Sequence, residues 1–245
     1  MAYHRSKKSL SSEAYRSLRT SLQYSSVDRE LKTIVITSSV PGEGKSTVAS
    51  NLACSMNEMN KKVLLIDADL RKPTIHKKLK LSNQIGLTDG IVHKLQFNEV
   101  IQKINDHFHV MTAGKIPPNP AEIVGSEAMT QLLNQLKEEY DYIIIDTPPC
   151  IMADASVFAA LSDKVVYVIR QDYAMSSQIF DCIQSFSDNG ARICGFVLNC
   201  SSRSGSAGGY GYGYGYGYGY GGKYGSKYGG YGYSREKSTD KADRK

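Results

Sequence analysis

The sequence predicts a three-layer α/β/α sandwich on a mainly parallel sheet, followed by a disordered Tyr/Gly-rich tail. Three observations carry this. Short β-branched runs alternate with helical stretches through residues 33–200, a glycine-containing loop joins the first run to the first helical stretch, and the composition changes abruptly after Cys200.

The element order starts with residues 11–26, where serine cap candidates precede Leu18 and Leu22, four apart on one helical face. Strand-like runs follow at 33–37, 63–67, 142–146, 165–169 and 193–199, with a weaker one at 108–112. Helical stretches at 45–58, 88–102, 126–139, 154–161 and 176–189 separate them. Apolar runs without strict alternation suit strands buried on both faces, and helical crossovers make a parallel sheet the natural solution. Three segments result: residues 1–32 with the leading helix, a core domain over 33–200, and a tail over 201–245.

The loop between the first strand and the next helix reads SSVPGEGKST, residues 38–47. Gly42 and Gly44 let the backbone turn tightly with N–H groups aimed inward, Lys45 carries charge suited to β- and γ-phosphates, and Ser46 offers a hydroxyl to Mg²⁺. The helix that begins there adds its positive end. The strict phosphate-loop pattern has glycine where this chain has Ser39, so the match is a variant.

Two strands end in carboxylates. Residues 63–67 run into DADLRKP, which sets Asp67, Asp69 and Arg71 just past a strand's carboxyl end, and 142–146 closes in Asp146 before TPP. In an open parallel sheet those ends line the ligand crevice, so the three aspartates are expected to converge on the loop. There they serve Mg²⁺, which needs oxygen ligands, and a hydroxyl nucleophile, which needs a proton acceptor. Asn199, closing the last strand, has an amide able either to read an adenine or to hold a loop.

Charge is unevenly spread over the net +6: residues 1–32 carry +4, residues 33–200 carry −3 and residues 201–245 carry +5. Basic ends on an acidic core suit an anionic membrane surface or an acidic partner and argue against nucleic acid. Five scattered cysteines without C-x-x-C spacing encode neither a disulfide framework nor a zinc site. No apolar run is long enough to span a membrane or to act as a secretory signal, so a cytoplasmic protein is expected.

In SSVPGEGKST, LLIDADLRKP and IIIDTPP the chain resembles the bacterial tyrosine kinases (BY-kinases), in the cytoplasmic form that works with a separate membrane adaptor. The likeness spans residues 12 to 233. It implies a P-loop NTPase fold of the MinD/ParA kind, with ATP and Mg²⁺ as cofactors. By motif, Pro41, Gly42, Glu43, Gly44, Lys45, Ser46 and Thr47 would cradle the nucleotide together with Asn199. Ser46, Asp69 and Asp146 would hold the metal shell, Asp67 would accept the tyrosine proton, and Lys45, Asp69 and Arg71 join Asp67 in the catalytic set. MinD and ParA relatives carry a lysine early in the loop, where this chain has Val40.

The family's E-x-x-R-x-x-R motif matches Glu13, Arg16 and Arg19, which share a helix face at this spacing. The resemblance implies a subunit contact within a ring of eight; the plainer alternative is an ion pair internal to the chain. It further implies an adaptor that activates the kinase at the inner membrane face, a cognate phosphatase, other tyrosine substrates, and control of capsular or exopolysaccharide synthesis and export.

Residues 201–233 contain no Leu, Ile, Val, Phe or Met, too little aliphatic surface to offset backbone entropy. Ten tyrosines stand there among glycines: Tyr210, Tyr212, Tyr214, Tyr216, Tyr218, Tyr220, Tyr224, Tyr228, Tyr231 and Tyr233. Glycine neighbours remove steric objection to entering a cleft in extended form. Thirty residues of such chain span about 30 Å, which reaches the chain's own site or a neighbour's. The sequence therefore points to an autokinase acting on its own tail, mainly between subunits. Two alternatives stand beside it, a MinD/ParA-like positioning ATPase without kinase activity and a nucleotide-gated scaffold whose tail recruits partners.

Overall fold

A computed structural model describes residues 10–25 and 30–201; the ten tail tyrosines lie outside the described residues. Sixteen elements are described there. Helix α1 (Leu10–Tyr24) precedes β1 (Thr33–Ser38), α2 (Lys45–Asn57), β2 (Val63–Asp67), α3 (Ile75–Leu79), α4 (Leu87–Val92) and α5 (Phe97–Val100). Then come β3 (Ile101–Lys103), β4 (Phe108–Met111), α6 (Pro120–Val124), α7 (Glu127–Glu139), β5 (Tyr142–Asp146), α8 (Ala153–Leu161), β6 (Lys164–Arg170), α9 (Ser176–Asp188) and β7 (Ile193–Asn199).

The seven strands form one sheet in the order β3-β4-β2-β5-β1-β6-β7, parallel throughout except for β3, which runs antiparallel to β4. The expected parallel sandwich is thus the observed one. Alternation of side chains assigns each strand to both faces. Val35, Leu64, Ile66, Ile143, Ile145, Val165 and Tyr167 pack with α7, α8 and α9 on one side. Ile34, Ile36, Val63, Leu65, Ile144, Val166 and Val168 pack with α1 and α2 on the other. Each such aliphatic side chain contributes about 1.5–3 kcal/mol when buried, so the two cores hold the sheet rigid beneath its loops.

The helix expected over 88–102 is instead two short helices and a strand. His93 and Leu95 turn their N–H groups back to Asp89 and Gly90, and Lys94 between them takes a positive φ of 51°, which stops α4. Ile101 to Lys103 then pair with β4. In the proline-rich segment 116–126, Pro120, at the start of α6, opens a further short helix.

At the opposite end of the sheet from the loop, Asp163 accepts from the Lys32 and Thr33 N–H groups and from the Thr33 hydroxyl, at 3.0, 2.7 and 2.8 Å. These bonds outweigh the effect of burial and hold its carboxyl below the usual range. No helix of the described residues is long and apolar enough to cross a membrane.

Candidate active site

The phosphate loop joins β1 to α2 and is built by its neighbours on both sides. Ser39, the departure from the strict pattern, is buried and shares a 2.9 Å hydrogen bond with the Tyr167 hydroxyl of β6. A glycine there would leave that buried hydroxyl without this partner. Glu43 is also fully buried; its carboxylate accepts from the Val40 N–H at 2.9 Å and from the Arg170 N–H at 3.2 Å. The Glu43 side chain therefore shapes the loop, and its backbone N–H is the part left for a phosphate. Gly42 and Gly44 have φ of 88° and 97°, the left-handed region that favours glycine.

Beyond the loop, Asn199 donates from Nδ2 to the Glu43 carbonyl at 2.7 Å and accepts from the Cys200 N–H at 2.9 Å. Through these contacts Asn199 holds the loop, one of the two roles expected of it. Arg170 donates to the Gly42 carbonyl at 3.2 Å and lies 4.6 Å over the Tyr173 ring.

The carboxylates gather where expected. Asp67 and Asp146 are register partners at the ends of adjacent strands. Both are fully buried. Asp67 Oδ2 accepts from the Thr74 and Ile75 N–H groups at 3.0 and 2.9 Å, while Oδ1 has no partner among the described residues. Burial, and then the charge of Asp146, push the Asp67 carboxyl well above the usual range.

Neither oxygen of Asp146 makes a hydrogen bond to the described residues. Burial raises its pKa to about 7, with the nearby Ser46 hydroxyl and Lys45 ammonium pulling the other way. Asp69 is only half-buried, and its Oδ1 accepts from the Arg71 and Lys72 N–H groups at 3.3 and 2.9 Å.

A cleft of about 460 Å³ opens beside Asp69. Its walls are the loop from Gly44 through Thr47, the segment with Asp69, Arg71, Lys72 and Thr74, Lys78 of α3, and Pro148, Pro149 and Met152 after β5. Asp69 lines this space, while Asp67 and Asp146 are fully buried. No three His, Cys, Asp or Glu side chains of the described residues close on a common metal point. Mg²⁺ binds through one or two carboxylates and takes its other oxygens from hydroxyl, phosphate and water. Buried, unpartnered Asp146 oxygens beside Ser46 fit such an ion.

Comparison with known proteins agrees with this geometry. The family model described as an AAA domain matches residues 31–193. Tyrosine-protein kinase YwqD of Bacillus subtilis is 42% identical over 194 residues, covering 78% of this chain and 82% of that protein. The chain belongs to the bacterial tyrosine-protein kinase family. The solved kinase domain of Escherichia coli tyrosine kinase ETK superposes with a TM-score of 0.75 at 36% identity, covering 82% of this chain and 80% of that one. MinD of Pyrococcus horikoshii, solved with Mg-ADP, shares the fold at a TM-score of 0.59 and 23% identity, covering 69% and 70%.

Within this kinase-family fold, several residues that sequence reasoning missed complete the site. Asp154, 1% exposed in the first turn of α8, receives the Arg71 guanidinium. Arg170 and Tyr173 support the loop from the β6 side. Lys78 donates to the Thr47 hydroxyl at 2.9 Å. None belongs to a motif with fixed spacing, and only Arg71's obligatory charge signalled that a buried carboxylate had to be found elsewhere in the chain.

Glu13, Arg16 and Arg19 do form one ridge, and α2 engages it. Arg16 pairs with Glu13 at 3.2 Å and Glu58 at 3.0 Å. Arg19 donates to the Ser55 carbonyl at 2.5 Å and lies 3.8 Å from Glu58. The contacts described are therefore those of the plainer alternative, within the chain.

Proposed function

We propose that this chain is an ATP-dependent protein-tyrosine autokinase that phosphorylates the tyrosines of residues 210–233, mainly from one subunit to another. The observation that carries this is the pair Asp67 and Asp146, buried and adjacent at the carboxyl ends of β2 and β5, each with a carboxylate oxygen unpartnered among the described residues, and Asp146 next to Ser46 and Lys45 of the phosphate loop. Beyond the loop the same cleft is lined by Arg71, Lys72, Pro148, Pro149 and Met152, and this part is read as the approach of the acceptor tyrosine.

In this reading the loop N–H groups, Lys45, Ser46 and Thr47 hold the triphosphate. Ser46, Asp69 and Asp146 would hold Mg²⁺ and its water shell, which neutralises phosphate charge when bound. An incoming tyrosine oxygen bonds to the γ-phosphorus as the bond to the β,γ-bridging oxygen breaks and ADP departs. The phenolic proton goes to Asp67, whose Oδ1 is the oxygen without a donor. Arg71, pinned by Asp154, holds the segment that carries Asp69.

Each phosphate adds about −1.5 to −2 at neutral pH, so ten would take the tail from +5 to near −10 to −15. We assign the consequence to assembly: like-charged tails separate subunits of a ring joined through Glu13, Arg16 and Arg19. A membrane adaptor as activator, a phosphatase as antagonist, a site at the inner membrane face and control of polysaccharide export complete the reading; these rest on the family resemblance.

The deciding experiment is incubation of the full chain with Mg·ATP and an adaptor's cytoplasmic segment, followed by mass analysis of the 209–233 peptide. Phosphotyrosine on that peptide is expected; free phosphate without it would favour a positioning ATPase. Mixing a Lys45→Met chain with a tail-less active chain should put phosphate on the Lys45→Met chain. An unlabelled tail there would overturn transfer between subunits.

A further inference from the structure

Lys78 brings a second ammonium group to the phosphate site. It stands on α3, far from the loop in sequence, and its Nζ donates to Thr47 Oγ1 at 2.9 Å. Its side chain lines the same cleft as Lys45, Ser46 and Asp69. Its charge is also felt at the buried Asp146, the carboxylate next to Ser46.

This placement opposes the local electrostatics. Thr47 belongs to the first turn of α2, the end at which a helix carries partial positive charge, and Lys45 opens that same turn. Two lysines and a helix N-terminus thus crowd one corner, and the hydrogen bond that steers Lys78 there goes to a neutral hydroxyl. A cation gathered at such a point is stabilised when an anion joins it. The Thr47 hydroxyl uses one of three ammonium donors, leaving two for a ligand. Lys78 lines the cleft together with Asp69, assigned above to the metal shell of the transferring phosphate, whereas Arg170 and Asn199 bond the Gly42 and Glu43 carbonyls of the loop.

We propose that Lys78 is a second phosphate-binding lysine, which contacts the terminal phosphate of a nucleoside triphosphate and lets the site prefer triphosphate over diphosphate. This rests on the nucleotide-binding part of the kinase reading. Lys78 takes up no proton and forms no bond to phosphorus. While the phosphoryl group passes from the bridging oxygen to the tyrosine oxygen, the ammonium stays beside the charge on the equatorial oxygens.

The test is calorimetric titration of the full chain with Mg²⁺, using ADP and the non-transferable β,γ-imido analogue of ATP. Lys78→Gln keeps a donor for Thr47 and removes the charge; Lys78→Arg keeps the charge. A charge-assisted contact of this kind corresponds to about ten- to hundredfold in affinity. Lys78→Gln should therefore lose about tenfold or more for the triphosphate analogue and less than about threefold for ADP, and Lys78→Arg should hold near the native ratio.

Equal losses for both nucleotides would make Lys78 a tether of α3 to α2 and overturn the proposal, as would unchanged binding of both. If the native chain bound neither nucleotide, the reading of the loop itself would fall with it. Native binding with an indifferent Lys78→Gln chain would sink the Lys78 inference alone.

Discussion

Arg71 and Asp154 close a two-pronged ion pair over the cleft, Nε to Oδ2 at 2.8 Å and Nη2 to Oδ1 at 3.3 Å. The Arg71 side chain is 40% exposed and that of Asp154 1%, so the two partners are unequal. Removing the arginine strands a buried charge, whereas removing both leaves nothing unpaired. Arg71→Ala should lower the unfolding free energy by about 1–3 kcal/mol. The double variant with Asp154→Ala should recover part of that loss. Urea unfolding of both decides it, and a double variant less stable than Arg71→Ala would contradict the assignment.

The phosphate loop tolerates no side chain at residue 44. Gly44 has a φ of 97°, and a Cβ there would run into the Asn199 amide that holds the Glu43 carbonyl. Gly44→Ala should abolish nucleotide binding while the far end of the sheet stays folded. Asn199→Ala should cost about 0.5–1.5 kcal/mol of stability, the worth of one hydrogen bond. The double variant removes the clash but keeps the unfavourable φ, so it should still bind nucleotide poorly by calorimetry. Recovery to native affinity would show that the clash alone demands glycine.

Asp146 makes the ligand-free protein sensitive to pH. Its folded-state pKa, raised by burial from 3.8 to about 7, means that the folded chain holds a proton the unfolded chain has released. Stability attributable to this group therefore falls as pH rises between those two values and stays low above them. Asp67, raised by burial and by Asp146, acts in the same direction. Asp146→Asn should flatten the dependence of melting temperature on pH between about 4 and 7 and melt higher than the native protein at pH 8. The same change should remove the Mg²⁺ dependence of nucleotide binding. A variant no more stable than the native chain at pH 8 would rule out this account.

Legibility of the site followed the chemistry of local motifs. Lys45, Ser46, Asp67, Asp69 and Asp146 sit at strand ends or in a glycine-shaped loop, where a few consecutive residues specify both conformation and direction. Asp154 and Lys78 were not legible, because each acquires its role only when a distant segment folds over it, 83 residues from Arg71 and 31 from Thr47.

The fold followed the same rule. Val63–Asp67 and Tyr142–Asp146 appeared at their observed bounds because continuous apolar runs have one good solution in a covered parallel sheet. The stretch 88–102 did not, since its apolar spacing suits a helix. A left-handed Lys94 and pairing with β4 outweigh that preference.

The ridge on α1 separates two uses of the same arginines. Arg19 caps the carboxyl end of α2 through the Ser55 carbonyl, and Arg16 and Arg19 share Glu58 near the same point. The side chains of these pairs are only 15–27% exposed, so they brace α1 against α2 within the chain. Glu58→Ala removes the carboxylate that Arg16 and Arg19 share and keeps the Arg16–Glu13 pair and the Arg19 bond to the Ser55 carbonyl. It should lower the melting temperature slightly and preserve the assembled state. If the proposed ring is joined through this ridge, Arg16→Ala with Arg19→Ala should instead lower the oligomer mass in light scattering. If Glu58→Ala and the double arginine variant gave the same oligomer mass, the ridge would be an internal brace for the helix that carries Lys45.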